Sequence, residues 1–216
     1  MNRSNHNDAS LAQIEQALAR ETPQREAPGA STRQAAVAIV LRPEQRASSS
    51  DTSLELLFIK RAEKEGDPWS GHMAFPGGHR EPSDPSLRSA AVRETCEEVG
   101  IDLARQGRYL GAVDQQRAAP RGRPLDMIIA PEVFVLEEPV TATLNHEVED
   151  TVWVPLPALL DNRWHATRTY PMAGTPTVFN GFLLPEQDYF IWGLTYRMLK
   201  TFFRTFAPDW RDVDVD

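Results

Sequence analysis

Apolar residues recur along this chain in short blocks separated by polar turns. Two blocks, at 34–41 (Gln-Ala-Ala-Val-Ala-Ile-Val-Leu) and 54–60 (Leu-Glu-Leu-Leu-Phe-Ile-Lys), have the length and apolar content of strands. The polar, serine-rich stretch between them reads as a loop. Further strands are expected at 108–113, 127–136 and 151–154. Helical spacing appears in three places. Leu11, Ile14 and Leu18 follow Ser10, a good N-cap, and Pro23 ends that helix. Phe190, Leu194, Met198 and Phe202 recur every four residues and predict a closing helix over 189–206. Between them, 84–100 carries helix punctuation: Asp84 as N-cap, Pro85 at the first helical position and Gly100 after the last turn. Strands before and after helices, with short connections, predict an α+β fold built on a mixed β-sheet covered by helices.

The chain has 216 residues, of which 41% are hydrophobic, enough for one globular domain. Pro28-Gly29 marks a hinge, so residues 1–30 are expected to form an N-terminal extension and 31–210 the domain proper. No apolar run reaches the roughly 18 residues of a membrane span, and 1–10 lacks the apolar stretch of a secretory signal. A single cysteine, Cys96, excludes an internal disulfide. These features predict a soluble, cytoplasmic protein with no membrane partner. The net charge of −8 argues against nucleic acid as partner, while leaving room for small anions bound through divalent cations.

The helix at 84–100 changes the picture. Glu94 and Glu98 are four residues apart and Glu97 is three from Glu94, so all three project from one side. Glu94 and Glu98 continue a stripe begun by Leu87, Ala90 and Ala91, while Val92, Thr95 and Val99 form a second apolar stripe. A solvated acidic face is the simpler reading. Against it, the acids sit in the last turns, where the helix dipole disfavours each by about 0.3–1 kcal/mol. Two carboxylates about 5.5 Å apart also repel by roughly 3 kcal/mol at an effective dielectric near 20. On a partly buried face, such a group calls for a cation. Arg93 supplies part of one, and converging carboxylates suit a hard cation, Mg²⁺ or Mn²⁺.

Phe75-Pro76-Gly77-Gly78 lies upstream, and its two glycines allow close approach of backbone to a ligand. From Gly78 to Ile101 the sequence resembles the signature of Nudix hydrolases. The core of that signature stands here as Arg93-Glu94-Thr95-Cys96-Glu97-Glu98-Val99-Gly100-Ile101. Thr95 replaces the usual aliphatic residue, the glycine-to-arginine spacing is one residue longer than is common, and Asp84 falls where the common signature has its first Glu. The resemblance implies an α/β/α sandwich and metal-dependent hydrolysis of a diphosphate bond in a small nucleoside diphosphate derivative. It implies Glu94, Glu97 and Glu98 as metal ligands with help from the Gly78 carbonyl, Arg93 as the group orienting a glutamate, and Gly77 and Gly78 beside the substrate. Homodimers are common among such families.

Lengthened spacing and Ala-Phe-Pro-Gly-Gly also resemble the coenzyme A pyrophosphatases of the family, which would release phosphopantetheine and adenosine 3′,5′-bisphosphate. Arg61-Ala62 and Gly71 match their upstream segment, with Arg61 as a substrate contact. The segment's second arginine is missing, and Glu63-Lys64-Glu65 lies in the interval. ADP-ribose, a nicotinamide dinucleotide or a nucleoside triphosphate are the alternative substrates, and a non-catalytic nucleotide-binding regulator is the alternative of another class. Glu147 is the expected general base or fourth ligand, supplied from a later loop. Arg117, Arg121 and Arg123 read as a solvated basic loop, His72 as structural, Cys96 as a small helix residue and Trp69 as a half-buried turn aromatic.

Overall fold

A computed structural model of the chain describes residues 9–44, 53–67, 69–118, 126–172 and 174–213. Its first helix, α1 (Leu11–Arg20), starts in a reciprocal capping box. The Ser10 hydroxyl accepts from the Gln13 N–H, and the Gln13 side chain accepts from the Ser10 N–H. Ile14 and Leu18 are buried in the same core as the later strands. Beyond α1, the Gln24 and Glu26 amides donate to Asp114 and Gln115. The described part of the N-terminal extension is therefore packed onto the body.

β1 (Arg33–Pro43) is the central strand, with residues 35–41 buried throughout. Continuous burial is what a strand covered on both faces requires. Alternate side chains serve two cores: Ala35, Val37, Ile39 and Leu41 enter one, and Ala36, Ala38 and Val40 the other. There follow β2 (Leu54–Arg61), β3 (Met73–Ala74), β4 (Gly77–His79), α2 (Leu87–Val99) and α3 (Leu103–Gln106). Next come β5 (Gly107–Ala112), β6 (Gln116–Ala118), β7 (Met127–Leu136), β8 (Val148–Pro155) and α4 (Leu156–Leu160). The chain closes with β9 (His165–Met172), β10 (Thr175–Leu184), β11 (Tyr189–Trp192) and α5 (Gly193–Phe206).

β7 runs parallel to β1, from Arg33↔Met127 to Leu41↔Val135, while β2 and β5 are antiparallel to their neighbours, so the sheet is mixed. Helices α2 and α3 cover one face through Ala90, Ala91, Val99 and Leu103. Helices α1, α4 and α5 supply the other core, which also takes Phe182, Leu184 and Ile191 from the small antiparallel sheet β11-β10-β9. This is the expected α/β/α layering. Among the described residues, no helix is long and apolar enough to cross a membrane.

One feature of the sheet places the site. β1 pairs with β2 only at its far end, through Leu41, Arg42 and Pro43. Its near end, Ala35 to Val37, pairs instead with β4. β3 occupies the matching edge of β2, at Ile59 and Lys60. The segment from Met73 to His79 is thus wedged between β1 and β2, and the end of β2, Arg61, is splayed away from the centre. The five expected strands occupy their predicted stretches within a few residues. The closing helix is shorter than its periodicity predicts. Residues 189–192 pair with Leu184 to Gly181 as β11, and α5 begins at Gly193. A four-residue apolar run fits either period, and pairing with β10 decides it. The N-cap of α2 is Ser86, whose hydroxyl accepts from the Ser89 N–H, and Asp84 is turned inward instead.

Candidate active site

α2 carries the acids to the splayed end of the sheet. Its small residues Ala90 and Ala91 face Ala36 and Ala38 in one core, which lets the helix lie close to β1. Gly100 ends it in the left-handed conformation, φ 69°. Loop amides cover the last carbonyls: Thr143 N–H donates to Val99, and Asn145 N–H to Glu98. The same loop continues to Glu147, whose carbonyl accepts from Ala62 N–H just past β2. Helix end, acidic loop and the end of β2 are therefore tied together.

The three glutamates are not equivalent. Glu98 is 2% exposed, whereas the Glu97 side chain is 54% exposed. Glu98 Oε2 accepts from the Gly77 N–H at 2.8 Å, and its Oε1 lies 3.9 Å from Arg61 Nη1. Burial pushes the Glu98 carboxyl up to about 8. The Gly77 amide and Arg61 oppose that shift, while Glu94 and Glu147 add to it. Burial also raises Glu94, against the pull of Arg93, with Glu97 and Glu147 pushing the same way as burial. Glu147 is exposed, yet it lies close enough to act on both acids.

Arg93 organises the site. Its Nε and Nη2 donate to the two oxygens of Asp84 at 3.2 and 3.0 Å. Nη2 also donates to Glu94 Oε1 and to the His79 carbonyl, and Nη1 donates to Glu97 Oε2 at 3.0 Å. A guanidinium's fixed fork suits this many acceptors, and a lysine would not. The Arg93 hydrogen bond is the largest influence on Asp84 and holds its carboxyl below the usual range despite burial. Asp84 is thus an anchor beneath the arginine, a role its helix-start position disguises in the sequence.

Gly77 and Gly78 have different duties. At Gly77, φ is +150° and a Cβ would lie 2.3 Å from the Ala36 carbonyl oxygen, so the wedge against β1 admits only glycine. At Gly78, a Cβ would meet the Glu94 carboxyl carbon at 2.6 Å. That position is a cradle for Glu94. Neither glycine side needs a ligand to explain it.

Arg61 stands across the opening. Its Nη2 donates to Asp67 Oδ2 at 2.9 Å, while its Nε is buried without a hydrogen-bond partner. Asp67, drawn from a loop without periodicity, is not visible as a partner in the sequence. His72 packs its ring on Trp192 at 4.8 Å, Trp69 packs against the core, and Cys96 is exposed. Arg117 pairs with Glu26 and Asp126, and Glu149 pairs with Lys60. Arg121 and Arg123 lie outside the described residues. Among the described residues, no three His, Cys, Asp or Glu side chains are gathered tightly enough to hold a cation as they stand. Arg93 instead separates Glu94 from Glu97. A desolvated carboxylate beside a second one, with an exposed third on the next turn, still has the chemistry of a hard-cation site.

The NUDIX domain model matches residues 32–173. The uncharacterized Nudix hydrolase NudL of Yersinia pestis is 31% identical over 175 residues, covering 79% of this chain and 78% of that one. The peroxisomal coenzyme A diphosphatase ndx-8 of Caenorhabditis elegans is 34% identical over 99 residues, 45% of this chain and 40% of that one. The uncharacterized protein C14C4.10c of Schizosaccharomyces pombe is 35% identical over 146 residues, 62% of this chain and 44% of that one. The matched region spans less than half the length of the last two relatives. A MutT/nudix family protein from Enterococcus faecalis shares the fold, with a TM-score of 0.50 at 17% identity over 97% of this chain and 74% of that one. With the domain match over more than half its length and a relative matched over more than three-quarters of both chains, the chain belongs to the NUDIX family.

Proposed function

We propose that this protein hydrolyses a diphosphate bond in a nucleoside diphosphate derivative with the help of Mg²⁺ or Mn²⁺, and that coenzyme A or a close relative is the substrate. The observation that carries the reading is Glu98: a buried carboxylate, fixed by the Gly77 amide, beside Glu94 and Glu147 and across from Arg61. Glu94, Glu97 and Glu98, with the Gly78 carbonyl, are the groups to hold the cation. When bound, it supplies charge neutralisation on phosphate oxygens and makes water a stronger acid.

The protein's own residues do the rest. Arg61 offers its Nη1 end to a phosphate oxygen, a charge-assisted contact that also brings the diphosphate toward Glu98. Arg93 keeps Glu94 and Glu97 apart and aimed, with Asp84 holding the arginine in place. Glu147, exposed at the mouth, accepts the proton from the attacking water.

Coenzyme A is favoured by Arg61, Gly71 and Ala-Phe-Pro-Gly-Gly, and by the relative named as a coenzyme A diphosphatase. The absent second arginine favours other dinucleotide-like diphosphates as the second reading. A mass-spectrometric product screen with Mg²⁺ and Mn²⁺ tests both, offering coenzyme A, ADP-ribose, NADH and nucleoside triphosphates. Phosphopantetheine and adenosine 3′,5′-bisphosphate are the expected products. Cleavage of another compound instead would discard the substrate, and cleavage of none would discard the hydrolase.

A further inference from the structure

Arg61 lies between two carboxylates. Its Nη2 donates to Asp67 Oδ2 at 2.9 Å, while its Nη1 stands 3.9 Å from Glu98 Oε1. The first separation is a hydrogen bond and the second is too long for one. Nε is buried without a partner, so among the described residues Asp67 alone holds the guanidinium head. Glu98 accepts from the Gly77 N–H through Oε2, which leaves Oε1 on the side of Arg61.

Asp67 is itself firmly tied. Its Oδ1 accepts from the Trp69 N–H at 2.9 Å, its N–H donates to the Lys64 carbonyl, and its carbonyl accepts from the Ser70 N–H. Ser70 closes the loop a second time, its hydroxyl accepting from the Lys64 N–H at 2.8 Å. Trp69 packs against the core, and its carbonyl accepts from the His72 N–H. The His72 carbonyl in turn accepts from the Arg61 N–H. The connection between β2 and β3 is therefore a closed ring, with the Asp67–Arg61 ion pair spanning it. Both side chains of the pair are partly buried, which makes the attraction stronger than that of a pair in open water.

We infer that Asp67 is a positioning residue that holds Arg61 back from Glu98, keeping Glu98 free to take a cation and Arg61 Nη1 free to meet a phosphate oxygen. The inference rests on the hydrolase reading above and deepens it. Its logic is competition for one guanidinium. Without Asp67, Arg61 loses its only acceptor, and Glu98 is the one other carboxylate within 4 Å among the described residues. A shift of about 1 Å would turn that approach into a charge-assisted hydrogen bond. Glu98 Oε1 would then be occupied, and a fixed positive charge would stand where the cation has to bind. Asp67 thus serves an acidic site without ligating anything, by restraining the arginine beside it.

Mn²⁺ binding to the full chain, read from the paramagnetic resonance signal of free Mn²⁺ at constant pH and physiological salt, tests this without any turnover. Asp67→Asn has one oxygen where two are needed, so it cannot serve both the Trp69 N–H and Arg61. Its Mn²⁺ affinity is expected to fall roughly tenfold, the worth of a charge-assisted hydrogen bond. Adding Arg61→Gln to the same chain is expected to restore most of that affinity, which a merely disordered loop would not do. Glu65→Gln removes an exposed carboxylate from the same loop and is expected to change nothing, separating restraint of Arg61 from simple loss of charge. Unchanged affinity in Asp67→Asn would overturn the inference, as would a loss that Arg61→Gln fails to relieve or that Glu65→Gln reproduces. Should Asp67→Asn not fold, Asp67→Ser keeps a short acceptor for the Trp69 N–H and is expected to show the same loss and the same rescue. The two readings fail separately. Cleavage by a wild type whose Mn²⁺ affinity ignores Asp67 removes the inference alone. The expected Mn²⁺ pattern without cleavage of any diphosphate removes the hydrolase alone, and a wild type that binds no Mn²⁺ overturns both.

Discussion

Replacing Glu98 by Gln is expected to stabilise the metal-free protein at alkaline pH while abolishing its activity. The Glu98 carboxyl keeps its proton up to about pH 8 in the folded protein, against 4.5 for the unreacted group. Across that window the native state binds more protons than the unfolded one. The stabilising contribution is therefore fully present below about pH 4.5 and is lost as pH rises through 8. At about 1.4 kcal/mol per pH unit, the ceiling on the loss is on the order of 5 kcal/mol. Water entering the splayed cleft would hold the measured value nearer ~2–3 kcal/mol, since relaxation weakens the penalty on a buried charge. Gln keeps an oxygen to accept from the Gly77 N–H, so the wedge at the sheet edge survives the change. Urea unfolding with a chelator present, at pH 5 and pH 8.5, measures the difference. Glu132 is also raised by burial, but it contributes equally to both proteins and cancels, while the repulsion between Glu94 and Glu98 is part of the difference measured. The wild type is expected to lose stability between the two pH values, and the variant much less. Mg²⁺ at pH 8.5 is expected to restore the wild type only, by mass action on the folded state. Parallel pH profiles in the two proteins would refute the reasoning.

The adjacent glycines should part company. Gly78→Ala displaces only the flexible end of Glu94, so activity is expected to fall at least tenfold with an unfolding midpoint nearly unchanged. Gly77→Ala meets backbone at 2.3 Å with φ +150°, so soluble folded protein is expected to be largely lost, and a well-folded Gly77→Ala would contradict that packing. Arg93→Ala leaves buried Asp84 without its bidentate partner and is expected to cost about 3–5 kcal/mol. Because Asp84's folded pKa is depressed, that stabilisation is present above its unfolded value of 3.8 and vanishes as pH falls through the folded value. Acid unfolding curves of wild type and variant should converge there, and a gap that persists to the lowest pH would count against Arg93 as the partner.

Local pattern was enough for much of this protein. The strands at 34–41, 54–60 and 127–136, the capped α1, and the carboxylate spacing on α2 all follow from periodicity and punctuation, because neighbours along a helix or strand settle them. Tertiary contact decided the rest. Residues 189–192 became a strand because β10 was there to pair with them. Asp84 left the helix start because Arg93, a turn and a half into the helix, offered two donors to its buried carboxyl. Glu147 joined Glu94 and Glu98 because the loop's amides close the end of α2 while its Glu147 carbonyl accepts from Ala62 N–H at the end of β2. The order of acidity among three similar glutamates came only from depth: Glu98 lies under the Gly77 wedge, and Glu97 faces water. A sequence specifies which side of a helix a carboxylate occupies, but how much water it keeps depends on what the rest of the chain lays over it.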